Sequence, residues 1–283
     1  MSGSSRRSTA DAVRLLSRLS ERDIAVLRRI SEHRFLTTNH VRRLEFHDHA
    51  SVDAGTRACT RVLTRLVRLR LIYRLDRQIG GVRGGSGAFV WSVDDAGDRV
   101  LRAALNVEQG KRRRAYEPSW LFLAHTLAIA ETRVSLHEAA LAGRYDLLEV
   151  RTEPRNWRPF LGPLGTAQTL KPDLEAVTAS GEYEDHFFLE IDRGTESLPV
   201  VTAKCLVYEQ YRATGKEQAA SGVFPVVVWL IADAARREAL KEALARHARI
   251  DERLFEVLDP GELIGFVSGD GPPLITNGEP ASG

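Results

Sequence analysis

The sequence predicts a mixed α/β protein built as two domains, and three observations carry that expectation. Helical periodicity runs through residues 19–71 and then gives way to two short apolar strands around a glycine-rich turn. From residue 120 the pattern becomes one long helix, three strands, a helix and a fully apolar strand, an α-β-β-β-α-β order. The charge also divides. Residues 1–120 hold 24 Lys and Arg against 13 Asp and Glu, a balance of +11, and the rest hold 16 against 25, a balance of −9. The first half is therefore suited to meet a polyanion, and the second to do something else.

The 283 residues, 43 % hydrophobic and 28 % charged, have the composition of a soluble globular chain. No apolar run approaches the roughly 20 residues of a membrane helix. The opening residues MSGSSRRSTA lack the apolar segment of a secretory signal. The two cysteines, Cys59 and Cys205, form no CxxC pair. A reducing cytoplasmic compartment is expected, with no membrane partner and no zinc–cysteine site.

Residues 1–18 read as a flexible basic arm that runs into a short helix. Residues 19–33 form an amphipathic helix, with Ser20 as N-cap, Asp23 as its capping-box partner, and Ile24, Leu27 and Ile30 on one face. Thr37 or Thr38 caps a second, short helix through Val41, Leu44 and Phe46, and residues 47–55 read as a polar loop. A third helix, 56–71, has an apolar stripe of Cys59, Val62, Leu63, Leu66 and Leu69. Its other face repeats Arg57, Arg61, Arg65 and Arg68, interleaved with Thr60 and Thr64. No Asp or Glu lies between residues 56 and 71, which argues against an ordinary mixed-charge solvated face.

Strands 72–77 and 88–93 flank the turn 78–87, which carries Arg83. This turn is not a phosphate loop, because no Gly-Lys-Ser/Thr follows and a strand, not a helix, comes next. Asp94 or Asp95 caps a helix ending near Leu105. Three helices and then a β-hairpin is the winged helix-turn-helix arrangement, so residues 19–105 are expected to bind double-stranded DNA, the third helix in the major groove and the hairpin on the backbone or in the minor groove. The expected contacts are Arg57, Thr60, Arg61, Thr64, Arg65, Arg68 and Arg83.

Residues 106–118, with four consecutive cations at 111–114, read as a basic linker. The second domain spans 119–260. Its expected elements are a helix 120–142, a strand 146–153, an irregular loop 156–168, strands 170–178 and 184–192, a helix 198–213, a strand 223–231, a helix 234–250 and a strand 253–258. Residues 261–283 read as a flexible tail.

Three ionisable residues can converge here: Asp173 after Pro172, Glu190 at the end of a strand, and Lys204 one turn into the next helix. Two carboxylates on adjacent strands can hold Mg²⁺ or Mn²⁺ through oxygen ligands. Such an ion polarises a phosphodiester and lowers the pKa of an attacking water, and a lysine nearby orients that water or balances developing charge.

The order of elements, with Pro172-Asp173, Glu190 and Lys204 on them, resembles the PD-(D/E)XK nuclease fold. The resemblance implies metal binding by Asp173 and Glu190 and a catalytic role for all three residues. The chain departs from the simple motif, since Glu190-Ile191-Asp192 puts an aspartate where the lysine is expected. The lysine role passes to Lys204, as in related folds, or to Arg193. Asp192 either adds a third carboxylate or pairs with Arg193 or Lys204, and Glu131 stands where some members place an accessory acid.

Over residues 19–231 the combination of GGVRGGSGAFVWSVDDAGDRVL, HTLAIAETRVSL, LKPDLEAV and FFLEIDRGTES resembles the replication-relaxation family of bacterial plasmids and mobile elements. That resemblance implies a DNA-binding role in replication, mobilisation or transfer, with nicking by the nuclease-like domain and plasmid transfer or replication proteins as partners. The alternative is a non-enzymatic transcriptional regulator, whose nuclease-like domain serves homodimerisation, ligand sensing or partner docking.

Overall fold

The protein is described from a computed structural model covering residues 9–75, 89–105 and 116–270. It is a mixed α/β chain that divides into two compact units, Met1–Val134 and Ser135–Gly283.

The first unit opens with α1 (Thr9–Leu16), so the end of the expected arm is helical, and its Ala12 and Leu15 are buried in the unit's core. In α2 (Glu21–His33) the capping box forms as its sequence requires. The Ser20 hydroxyl accepts from the Asp23 amide, and the Asp23 carboxylate accepts from the Ser20 amide at 2.8 Å. Strand β1 (Leu36–Thr37) leads into α3 (Thr38–Glu45), for which Thr37 is the cap. The helix expected at 56–71, α4 (Val52–Arg68), begins earlier than its apolar stripe suggests. The Ser51 hydroxyl accepts from the Ala54 amide at 3.2 Å, which nucleates an extra turn and shortens the expected loop 47–55. Gly55 in that turn is a packing requirement, since a Cβ there would lie 2.8 Å from the Phe46 carbonyl oxygen.

Strands β2 (Ile72–Arg74) and β3 (Val90–Val93) pair antiparallel, and β3 pairs antiparallel with β1, giving the sheet order β1-β3-β2. The connecting turn, with Arg83, lies outside the described residues, as do most of the expected basic linker and the tail beyond residue 270. Helix α5 (Asp95–Leu105) follows. The core gathers Leu27, Ile30, Leu63, Leu66, Ile72 and Val100, and includes Ala130 and Val134 of the next helix, α6 (Trp120–Leu141). Leu123 and Leu127 of α6 pack with Phe35, Leu75 and Val90.

In the second unit a five-stranded sheet has β4 (Asp146–Arg151) at one edge. Then come β7 (Leu174–Ser180), β8 (Tyr183–Asp192), β9 (Val226–Ile231) and β10 (Phe255–Leu258). The pairs β4/β7 and β7/β8 are antiparallel, and β8/β9 and β9/β10 are parallel. The apolar run of β9 is explained by this place, flanked on both sides and buried along nearly its whole length. Helices α7 (Leu198–Arg212), α8 (Lys216–Ser221), α9 (Ala234–Ala245) and α10 (Leu263–Val267) complete the unit. Leu263 and Val267 are buried, so the segment expected as a tail begins as packed structure.

Two expectations are corrected. Residues 156–168 are not an irregular loop. They form most of a hairpin of β5 (Arg158–Leu161) and β6 (Ala167–Leu170), hidden from periodicity by Pro159, Pro163 and the glycines of its turn. The expected strand 170–178 is also two strands. Leu170 closes β6, and Pro172, which has no N–H to give a ladder, separates it from β7. Among the described residues no helix is long and apolar enough to cross a membrane.

Candidate functional site

Two sets of charged side chains stand out, one in each unit. In the first unit, α4 turns Cys59, Leu63 and Leu66 into the core, leaving Arg57, Thr60, Arg61, Thr64, Arg65 and Arg68 exposed. The Thr60 hydroxyl donates back to the Thr56 carbonyl at 2.8 Å, a local bond that leaves its oxygen able to accept. Arg65 differs from the other arginines. Its guanidinium donates to Asp23, a fully buried carboxylate that also receives the Ser20 hydroxyl at 2.8 Å. Arg65 therefore joins α4 to the start of α2, whereas Arg57, Arg61 and Arg68 project from one helix face with cationic heads exposed.

In the second unit the sequence-predicted trio does converge. Glu190 is on β8, and α7 aims Lys204 and Tyr208, one turn apart, at its carboxylate. The Lys204 ammonium donates to Oε2 at 2.5 Å, and the Tyr208 hydroxyl donates to Oε1 at 2.6 Å. Asp173, at the bend before β7, accepts from the Ile191 amide at 2.8 Å and so abuts the residue after Glu190. Glu190 is 1 % exposed and Tyr208 is buried, while the Lys204 side chain keeps 31 % of its surface.

Burial, reinforced by the Asp173 charge, pushes the Glu190 carboxyl up to about 7 against the opposing pull of Lys204 and Tyr208. Burial alone would lower Lys204, but the Glu190 and Asp173 carboxylates outweigh it and raise the ammonium's pKa. Burial first, and Glu190 second, hold Tyr208 well above the usual phenol range. Lys204 thus counters the Glu190 charge, and both Glu190 oxygens are occupied by donors from one helix.

The donor set for a metal is two carboxylates, Asp173 and Glu190. Among the described residues no group of three or more His, Cys, Asp and Glu side chains is arranged to hold an ion. These hard oxygen donors suit Mg²⁺ or Mn²⁺ in kind, but an ion would have to take over the place of the Lys204 ammonium on Oε2.

The remaining candidates are engaged elsewhere. The Asp192 carboxylate accepts from Arg236 at 2.6 Å and from the Gly194 amide at 2.7 Å, not from Arg193 or Lys204 as the sequence suggested. Arg193 is exposed. Glu131 is held by Arg43 at 2.6 Å and His40 at 3.2 Å within the first unit. Arg83 lies outside the described residues.

Sequence reasoning missed a second charged group in the same unit. Arg158 donates to Glu175 at 2.8 Å and to Glu217 at 2.9 Å, and Arg151 also donates to Glu175 at 2.8 Å. The Tyr211 hydroxyl completes Glu217 at 2.5 Å. Both carboxylates are buried. Glu217 is held below its usual range, because Arg158 and Tyr211 together overcome the upward push of burial. The buried Asn156 amide donates to the Pro172 carbonyl at 2.6 Å, fixing the bend that presents Asp173. One signal was available. Glu175 lies two residues beyond Asp173, and such residues share a face of an extended chain.

Compared with known proteins, residues 27–227 match the family model described as replication-relaxation. No curated protein and no solved structure matches the chain.

Proposed function

The chain belongs to the replication-relaxation family, and on that footing we propose that it is a sequence-directed DNA-binding protein serving replication or mobilisation of a plasmid or integrative element. The observation that carries this reading is the face of α4. Arg57, Arg61 and Arg68 present exposed guanidinium groups along one helix, with no acid among residues 56–71. The element order α2-β1-α3-α4-β2-β3, with sheet order β1-β3-β2, supports a winged-helix reading in which α4 enters the major groove. Guanidinium groups on such a face suit phosphate oxygens and guanine edges. The test is gel-shift or anisotropy titration of duplexes from the host element with wild type and with Arg57→Ala/Arg61→Ala/Arg68→Ala. Equal affinities would exclude α4 as the reader.

For the second unit the geometry favours an accessory role. Glu190 is buried, and Lys204 and Tyr208 occupy its oxygens, so the cluster at rest is a closed brace.

One observation favours a second reading, DNA nicking. Asp173, Glu190 and Lys204 are brought together on a chain that, with the β5/β6 hairpin and short α8 set aside, runs α6-β4-β7-β8-α7-β9, in keeping with a nuclease-like order. In that reading Asp173 and Glu190 would hold Mg²⁺ or Mn²⁺, which supplies charge neutralisation at a phosphodiester. Lys204, released from Glu190, would orient water or balance the developing charge. Incubating supercoiled plasmid from the element with Mg²⁺ or Mn²⁺ separates the readings. Relaxation by wild type but not by Asp173→Ala supports nicking, and equal inactivity supports the accessory role.

A further inference from the structure

The hairpin of β5 and β6 has a root and a tip of opposite character. The root is fixed. Phe160 and Leu170 are buried in the core, the Phe160 ring centroid lies 5.4 Å from that of Tyr211, and Arg158 is clamped between Glu175 and Glu217. The tip, residues 161–165, is bare. Leu161 is exposed, and Leu164 is 102 % exposed, so its side chain gains nothing from the fold. Leu164 also holds φ 61° and ψ 23°, the left-handed region that disfavours a side chain with a Cβ. Glycine would remove both the strain and the exposed apolar surface. A leucine held there in water, on a rigid root, is explained by something it meets outside the fold.

We propose that this tip, with Leu161, Pro163 and Leu164, is a wedge that enters a base step of duplex DNA. The inference rests on the DNA-binding reading above and extends it to the second unit. The surroundings select DNA as the occupant. Residues 155–172 hold no acid, and with Arg158 committed to Glu175 and Glu217 their available cations are Arg155 and Lys171, although this half of the chain has a balance of −9. Arg155, Thr166 and Thr169 are exposed around the hairpin, where they can meet phosphates. Leucine and proline are side chains that insert between bases and unstack them. Beyond the tip, β6 runs through Lys171 and Pro172 into Asp173, so the wedge and Asp173 lie on one continuous segment of chain.

The experiment uses the full-length protein, wild type and Leu164→Gly, with short duplexes from the host element carrying 2-aminopurine. Each duplex is supplied either fully paired or with one mismatch beside the probe. The wild type is expected to raise 2-aminopurine fluorescence and to favour the mismatched duplex by about tenfold, since its base step is already partly unstacked. Leu164→Gly is expected to lose both effects while keeping its Tm and the salt dependence of duplex binding that the α4 arginines set. If wild type binds the paired duplex but shows no preference, or if the variant keeps the preference, the wedge is overturned and the DNA-binding reading stands. If wild type binds no duplex, both fall. If light scattering shows that Leu164→Gly only reduces the oligomer, with the DNA response unchanged, the tip is a contact between copies and the wedge is overturned.

Discussion

Arginine occurs in this protein in two opposite circumstances. Along α4, Arg57, Arg61 and Arg68 are exposed on a face whose one acid is Asp53 in the first turn. In the second unit, Arg158 is clamped between the buried carboxylates Glu175 and Glu217. The side chain is the same, but the first set is available to an outside anion and the second is committed inside the fold. Lys204 stands with the second set, since its ammonium is the counter-charge of a buried glutamate. Arg65 lies between, exposed over half its side chain yet bonded to buried Asp23. Removing a committed cation should cost stability, because it strands a buried carboxylate, and removing an available one should cost binding.

That contrast predicts a ladder of stabilities, measurable by urea unfolding. Arg158→Ala should cost the most, about 4 kcal/mol, because two buried carboxylates lose a partner at once. Lys204→Met should cost about 3 kcal/mol at neutral pH. This loss should shrink in acid, where a protonated Glu190 needs no counter-charge. Arg65→Ala should cost roughly 1–2 kcal/mol, since Asp23 keeps its bonds from Ser20. Arg57→Ala and Arg61→Ala should stay within about 0.5 kcal/mol of wild type. If Arg57→Ala proves as destabilising as Lys204→Met, the division between available and committed cations breaks down.

The pH dependence sharpens the same contrast. The Glu190 pKa is raised from 4.5 to about 7 in the fold, so between those values the native state holds the proton that the unfolded chain releases. The contribution of this group to stability therefore falls as pH rises through that window and levels off above it. Unfolding profiles of Glu190→Gln should lose this slope, whereas Arg61→Ala should keep it.

How far the sequence disclosed this arrangement depended on the physical signal. Helices with caps and one-sided apolar stripes were legible, as Ser20 with Asp23 and the Cys59–Leu63–Leu66 stripe illustrate. So was the apolar β9, whose burial between two strands requires its composition. That Asp173, Glu190 and Lys204 come together was legible because Asp173 precedes a readable strand, Glu190 lies near the end of the next, and Lys204 is on the helix that follows. The hairpin of β5 and β6 was not legible, because its strands are four residues long and its prolines and glycines mimic a loop. The partners of Arg158 escaped for a related reason. Glu217 lies 59 residues away on a six-residue helix, and no local pattern reports a contact of that range. Nor could periodicity tell that Arg65, one of four similar arginines, faces a buried aspartate.

The most direct measurement is the salt dependence of duplex binding by wild type and by Arg57→Ala/Arg61→Ala/Arg68→Ala, each checked to be equally stable. Each phosphate contact releases about 0.9 counterion, so loss of three should reduce the slope of log K against log salt by roughly 2.7. A smaller slope with weaker binding at low salt is the predicted result. An unchanged slope and affinity would contradict the assignment of α4 as the DNA-contacting face.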